Sequence, residues 1–250
     1  MHGFGKVVIA LGIAAALGAC GARQVPLVNL SPEQLYERGQ TALNDRKWTE
    51  AIEAFDQFVI QYATHPRVQE ARYRLGEAYF GKKEYITAGS EFTRLANDYP
   101  AGPYADDARF RACESYYRLS PKVALDQQYT RSAFDHCQSM VAYFPNSEYV
   151  ERAQQMMLEL RQKLAEKEFQ AGEYYYERNA YDSAIIYFDA TVRDYADTPQ
   201  APRALARLVE IYQSLGYKEE EATTRQRLLK DYPNSPEAKA IQPSPATANP

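Results

Sequence analysis

Apolar residues of two sizes return along this 250-residue chain at a fixed interval. Gly39, Ala51 and Phe55 are matched by Gly76, Ala88 and Phe92, and again by Gly172, Ala184 and Phe188, always 12 and then 4 positions apart. Residues four apart share one face of a helix. Each triplet therefore predicts a first helix carrying a small residue and an antiparallel second helix whose Ala and Phe meet it. A looser copy holds Cys113, Ala133 and Cys137, with eight extra residues around Ser120 to Leu125. A degenerate fifth has Val209 and Tyr212 in its first helix and a second helix from about Lys218 to Lys230. Between copies the same punctuation appears: Tyr62-Ala-Thr-His-Pro66, Tyr99-Pro-Ala-Gly-Pro103, Phe144-Pro-Asn-Ser-Glu148, Tyr195-Ala-Asp-Thr-Pro199 and Tyr232-Pro-Asn-Ser-Pro236. Its leading aromatics lie 37, 45, 51 and 37 positions apart. Pro66, Pro103, Pro199 and Pro236 are each expected to open a helix, where the missing N–H costs nothing.

This spacing resembles the tetratricopeptide pattern. It implies an all-α fold of five tetratricopeptide-like helix pairs in a right-handed solenoid. The 51-residue interval contains a run from Glu148 to Phe169 with no Gly or Pro and many good helix formers. It predicts one long helix, some 28 residues and about 42 Å, fused into the first helix of repeat 4. Structure begins at Ser31-Pro-Glu-Gln34, a capping-box sequence. The organisation expected is a tether over 21–30, repeats 1–3 over 31–146, the long helix with repeats 4–5 over 147–239, and a disordered tail over 240–250.

Residues 1–20 add a different signal. Lys6 precedes an 11-residue apolar run, Val7 to Leu17, which ends in Leu17-Gly-Ala-Cys20. The run is too short for the roughly 20 residues of a membrane span and reads as a cleaved lipoprotein signal with Cys20 as the lipid attachment site. Several acyl chains, at about 0.8 kcal/mol per buried methylene, anchor a protein durably. Gly21, which is not an aspartate, resembles the sorting signal for the outer membrane in bacterial lipoproteins. Without residues 1–20 the chain has 28 basic and 33 acidic residues, which argues against nucleic acid as a partner.

Enzyme chemistry is poorly represented. There is no Gly-rich phosphate loop, no G-x-S-x-G, and His2, His65 and His136 lie at no metal-ligand spacing. No cofactor and no metal is expected, and His65 reads as a turn cap. Cys113 and Cys137 face one another across one helix pair. The favoured reading is two packed thiols, and a disulfide is the alternative in an oxidising compartment.

By resemblance to the repeat family, the residues three before, one after and four after the small position line the concave face. In register they are Tyr36, Gln40 and Leu43; Tyr73, Glu77 and Phe80; Phe110, Glu114 and Tyr117; and Phe169, Glu173 and Tyr176. Rings and carboxylates in such a column suit an extended peptide, with the superhelix core as the competing role for the aromatics. Glu77 and Glu114 could be spaced like an acid pair, but an open groove has little to raise a carboxylate pKa, and the reading is not an enzyme.

The lipobox, Trp48-Thr-Glu-Ala-Ile52, Tyr143-Phe-Pro-Asn-Ser147 with the long helix after it, Glu173-Tyr-Tyr-Tyr-Glu-Arg178 and Arg193-Asp-Tyr-Ala-Asp-Thr198 together resemble the BamD/ComL family of outer-membrane assembly lipoproteins. The resemblance implies a non-enzymatic scaffold on the periplasmic face of the outer membrane. Unfolded outer-membrane proteins would enter an amino-terminal groove, a BamA-like barrel protein with POTRA domains would bind the carboxy-terminal repeats, and other assembly lipoproteins are further candidate partners. The groove would contain Tyr36, Tyr73, Glu77 and Phe80. The partner interface would lie over Asp182 to Asp197, with Asp182, Tyr187, Arg193, Asp194 and Asp197. Substrates of that machine end in an aromatic residue and a free carboxylate, yet the column is acidic and only Arg118 stands near it with a positive charge. Another lipid-anchored periplasmic repeat protein, a pilus-assembly pilotin or a division coordinator, is the alternative.

Overall fold

The repeat spacing becomes a run of helices in the computed structural model, which describes residues 26–241. The expected signal, Cys20, the first residues of the tether and the tail beyond Ile241 lie outside the described residues. The helices are α1 (Pro32–Asn44), α2 (Trp48–Gln61), α3 (Val68–Gly81), α4 (Tyr85–Asp98), α5 (Ala105–Leu119), α6 (Gln128–Tyr143), α7 (Val150–Tyr176), α8 (Tyr181–Asp194), α9 (Gln200–Leu215), α10 (Lys218–Asp231) and α11 (Pro236–Ile241). Each packs chiefly on its neighbours in sequence, as a solenoid requires. The five pairs are α1/α2, α3/α4, α5/α6, the end of α7 with α8, and α9/α10. The 27 residues of α7 form the long fused helix between repeats 3 and 4. No helix among the described residues is long and apolar enough to cross a membrane.

Ring-on-glycine contacts set three of these pairs. A Cβ added to Gly39, Gly76 or Gly172 would lie 2.8, 2.6 or 2.5 Å from the nearest ring atom of Phe55, Phe92 or Phe188. All three rings are fully buried. The first helix can approach the second only because the small position carries no side chain.

Both kinds of turn repeat as well. At each punctuation the aromatic carbonyl accepts a hydrogen bond from the amide three residues on: His65 to Tyr62, Gly102 to Tyr99, Ser147 to Phe144, Thr198 to Tyr195 and Ser235 to Tyr232, at 2.9 to 3.0 Å. Within pairs, Arg46, Lys83, Asn179 and Gly216 occupy left-handed backbone (φ 58°, 68°, 56° and 75°) seven residues after the small position. The next amide then closes on the helix end, as in Lys47 N–H to Ala42 at 2.8 Å and Tyr217 N–H to Tyr212 at 2.9 Å. The third pair has no such turn. Its insertion is instead held from inside by Gln127, whose amide donates to the carbonyls of Lys122, Val123 and Leu125 while its oxygen accepts from Thr130.

Ser31 and Gln34 form the expected capping box. Four boundaries differ from the sequence reading. Pro66 and Pro103 stand two residues before α3 and α5, because a further turn (Val68 N–H to His65, Ala105 N–H to Gly102) precedes each helix. Leu27–Asn29 is a short 3-10 helix rather than tether, with Leu27 and Leu30 packed on the first core cluster and the Tyr62 hydroxyl donating to the Leu30 carbonyl at 2.9 Å. At the other end α11 reaches Ile241, which packs on the last cluster, so structure extends past residue 240.

Gly76→Ala is expected to lower stability by about 1–3 kcal/mol, the usual range for overpacking, despite the better helix propensity of alanine. Urea denaturation measures it. Adding Phe92→Leu to relieve the clash should recover part of the loss.

Candidate functional site

The first helices α1 and α3 come together around a cleft of about 370 Å3, lined by Gln40, Leu43, Asn44, Trp48, Arg74, Glu77, Phe80, Gly81 and Arg111. Four of the expected groove residues are here: Gln40, Leu43, Glu77 and Phe80. Trp48 lies against the end of α3 because position 81 is glycine; a Cβ there would sit 2.7 Å from the indole. Phe80 makes an edge contact with Tyr85 and is covered by the Arg111 guanidinium, 4.1 Å from the ring centroid. Arg74 pairs with Glu77 at 2.7 Å, and Arg111 with Glu114 one repeat on. The Nε atoms of both arginines are buried without a hydrogen-bond partner.

These arginines correct the expectation of an acidic column. Glu77 and Glu114 each have an arginine three residues before them, on the same face. Arg118 and Arg152 add weaker contacts to Glu114, both at 3.9 Å. The signal was legible as Arg-x-x-Glu in register, Arg74/Glu77 and Arg111/Glu114, with Arg67/Glu70 beside it. Trp48 and Asn44 were also missed as lining residues, since they sit at the turn between helices and outside the three-position rule.

The aromatics divide between lining and core. Tyr36 is 5% exposed and packs edge-on to Phe55 and Phe58; Phe110 is 2% exposed and stacks on Tyr149 with centroids 4.5 Å apart. Both belong to the core and not to an open groove, as does Glu114, at 8% exposure beneath Arg111. Tyr73 is half-buried, stacked on Tyr104 and against Phe92. Burial, followed by Glu77 and Asp107, pushes its hydroxyl up to about 12. Tyr117 donates to Glu159 of α7.

One arrangement runs the length of the chain. An arginine in the next first helix, or just before it, covers a ring of the preceding one: Arg67 on Tyr36 (3.3 Å), Arg111 on Phe80, Arg152 on Phe110 (4.6 Å), Arg203 on Phe169 (4.1 Å) and Arg207 on Tyr176 (4.8 Å). Such stacking contributes about 0.5–2 kcal/mol per contact and leaves guanidinium groups over the aromatic floor. Near α9, Arg207 pairs with Glu173 at 2.8 Å and Arg203 with Glu166 at 3.0 Å.

The expected partner residues lie on α8 and its following turn. Asp182 is in the first turn of α8, and the Tyr187 ring stacks on Tyr175 at 5.4 Å. Arg193 and Asp194 pair with each other at 2.7 Å and are both exposed. Asp197 is committed internally: Arg161 of α7 donates to both of its carboxylate oxygens, at 2.7 and 2.8 Å. His65, read as a cap, accepts the Arg67 N–H at 3.1 Å. Cys113 and Cys137 are joined by a disulfide, which corrects the reading of two packed thiols.

Hydrogen bonds from Tyr117 and then Gln155 hold the Glu159 carboxyl below the ordinary glutamate range. A lowered folded-state pKa contributes stability above the unfolded value and loses it on acidification. The attachment of α7 to α5 should therefore weaken as pH falls from about 4.3 through the lower folded value. Tyr117→Phe should remove that part of the pH dependence, read from denaturation midpoints against pH.

A sequence profile described as YfiO, outer membrane lipoprotein, matches residues 28–229. Among curated relatives, the outer membrane protein assembly factor BamD of Vibrio cholerae is 32% identical over 93 residues, 37% of this chain and 39% of that protein. The protein of the same name from Neisseria meningitidis is 34% identical over 97 residues, 39% of this chain and 36% of that one. The matched stretch thus spans under two fifths of either relative's length. Among solved structures, the TPR2AB-domain:pHSP90 complex of yeast Sti1 aligns with a TM-score of 0.46 and 14% identity, over 83% of this chain and 80% of that one. With most of its described length matched, the chain belongs to the YfiO family of outer membrane lipoproteins.

Proposed function

We propose that this chain is a lipid-anchored periplasmic scaffold of the machinery that inserts β-barrel proteins into the outer membrane. Cys20 carries the lipid, the α1–α3 cleft receives unfolded outer-membrane proteins, and the carboxy-terminal pairs dock a POTRA-bearing barrel partner. Family membership and the name of the curated relatives support the setting. The observation that carries the substrate reading is the cleft itself: Trp48, Leu43 and Phe80 offer apolar surface beside two arginines whose Nε atoms lack partners. An extended chain with an aromatic side chain and a carboxylate or backbone carbonyl meets the apolar surface and the outer guanidinium N–H groups of Arg74 and Arg111 at once. Arg74 and Arg111 supply the positive charge that the sequence column lacked.

The partner surface is proposed on Asp182, Tyr187, Arg193 and Asp194. Ile186, two-thirds exposed at 66%, adds apolar area next to Tyr187. Asp197 serves this surface by fixing the turn to α7 and not by direct contact.

Calorimetric titration with a substrate-derived peptide, carboxylate free against amidated, tests the cleft. The free acid should bind at least about tenfold more tightly, the scale of a charge-assisted hydrogen bond. Phe80→Ala should weaken binding about tenfold in protein that is still folded, with the urea midpoint lowered only by the loss of the Arg111 and Tyr85 contacts. Equal affinities for acid and amide together with wild-type affinity in the Phe80 variant would remove the cleft from substrate binding. For the partner surface, Arg193→Glu is expected to abolish recovery of a POTRA-bearing protein in a membrane pull-down while leaving peptide affinity unchanged.

A further inference from the structure

Three of the five pairs close by laying a phenylalanine ring on a glycine, and the third does not. At the equivalent positions it has Cys113 on α5 and Cys137 on α6, both fully buried and joined by a disulfide across 24 residues of chain. At the two positions where the other pairs set a ring on a glycine, this pair has a covalent bond that ties α5 directly to α6. What rests on that bond is α7. Leu160, fully buried, belongs to the same cluster as Cys113, Ala133 and Cys137, and the Met156 sulfur lies 3.8 Å from Cys113 Sγ. The long helix that carries repeats 4 and 5 is therefore seated on the disulfide-bonded pair.

We propose that the Cys113–Cys137 bond is a redox-dependent staple at the junction of the two repeat blocks: oxidised, it holds α5 and α6 in the spacing that seats α7; reduced, that seat loosens while the outer repeats stay folded. Closing the bond removes two protons and two electrons from the two thiols. The acceptor is an exogenous disulfide, of a protein oxidase or a small molecule, which leaves as two thiols. Because both sulfurs are buried, the exchange takes place before α5 and α6 close, or during an opening of that pair. The Gly–Phe pairs of repeats 1, 2 and 4 need no oxidant, which confines the dependence to the centre of the solenoid.

The test compares backbone hydrogen exchange in the oxidised chain, in chain refolded and kept under reductant, and in Cys113→Ala/Cys137→Ala. Mass spectrometry after alkylation reports the thiol state of each. Exchange over α5, α6 and residues 150–165 of α7 is expected to accelerate at least about tenfold in the reduced and Ala forms. Exchange over α1, α2 and α10 should stay within about twofold. Cys113→Gly/Cys137→Phe, which restores the ring-on-glycine pattern, should recover protection that no longer responds to reductant. Unchanged protection over α5–α7 in both the reduced and the Ala forms overturns the proposal, as does finding two free thiols in protein exported to an oxidising compartment. Uniform acceleration across all helices would also overturn it, by showing a global staple instead of a junction.

Discussion

The phenylalanine ring laid on a glycine is the contact from which the rest of this structure follows. It brings the two helices of a pair close enough that no Cβ fits between them, and it recurs in register in repeats 1, 2 and 4. Once the spacing within a pair is fixed, the left-handed turn after the first helix and the i-to-i+3 turn after the second become the geometries that pass the chain on without gaps. The cost of left-handed backbone at Arg46, Lys83 and Asn179, which are not glycine, is about 1–2 kcal/mol each. It is offset because each residue lets the following amide close on a carbonyl of the helix end.

Between pairs a second interaction takes over. Arginines from one first helix cover the aromatic floor of the one before, and glutamates a turn away hold them in place. This arrangement explains why a chain with 21 tyrosines and 10 phenylalanines can expose a concave face to water. Rings are covered by guanidinium groups that remain hydrated at their edges. It also changes the chemistry on offer. A face read as aromatic and acidic is aromatic and amphoteric, with cationic groups already desolvated at Nε and poised over apolar surface.

The two blocks meet at α7, and the polar ties there are of a different kind from those inside the repeats. Tyr117 to Glu159, Lys163 to the Ser120 hydroxyl, Lys167 to the Ala124 carbonyl and Arg161 to Asp197 bind the long helix to α5, to the inserted loop and to the α8–α9 turn. Such side-chain ties fix orientation more than they add stability, since exposed ion pairs contribute about 0–1 kcal/mol each. The stability of the junction comes from its buried cluster and the disulfide within it.

The small-to-large spacing, the five repeated turns and the Gly- and Pro-free run from Glu148 to Phe169 determined the helix pairs, their number and the long helix in the sequence itself, because together they leave few other ways to bury the apolar positions. Resemblance to the repeat family, applied in that register, marked Gln40, Leu43, Glu77 and Phe80, which lie one and four residues past the small position and so share a face. Tertiary structure alone decided which aromatics are lining and which are core. Tyr36 and Phe110 carry the same register label as Tyr73, yet they are sealed by Phe55 and Phe58 in one case and Tyr149 and Arg152 in the other, partners 19 to 42 residues away. It alone decided that Trp48 reaches the cleft, through the missing side chain of Gly81, and that Cys113 and Cys137 are bonded. Register along a helix gives the direction of a side chain. What covers it depends on the distance to the next helix, which is a property of the packed chain.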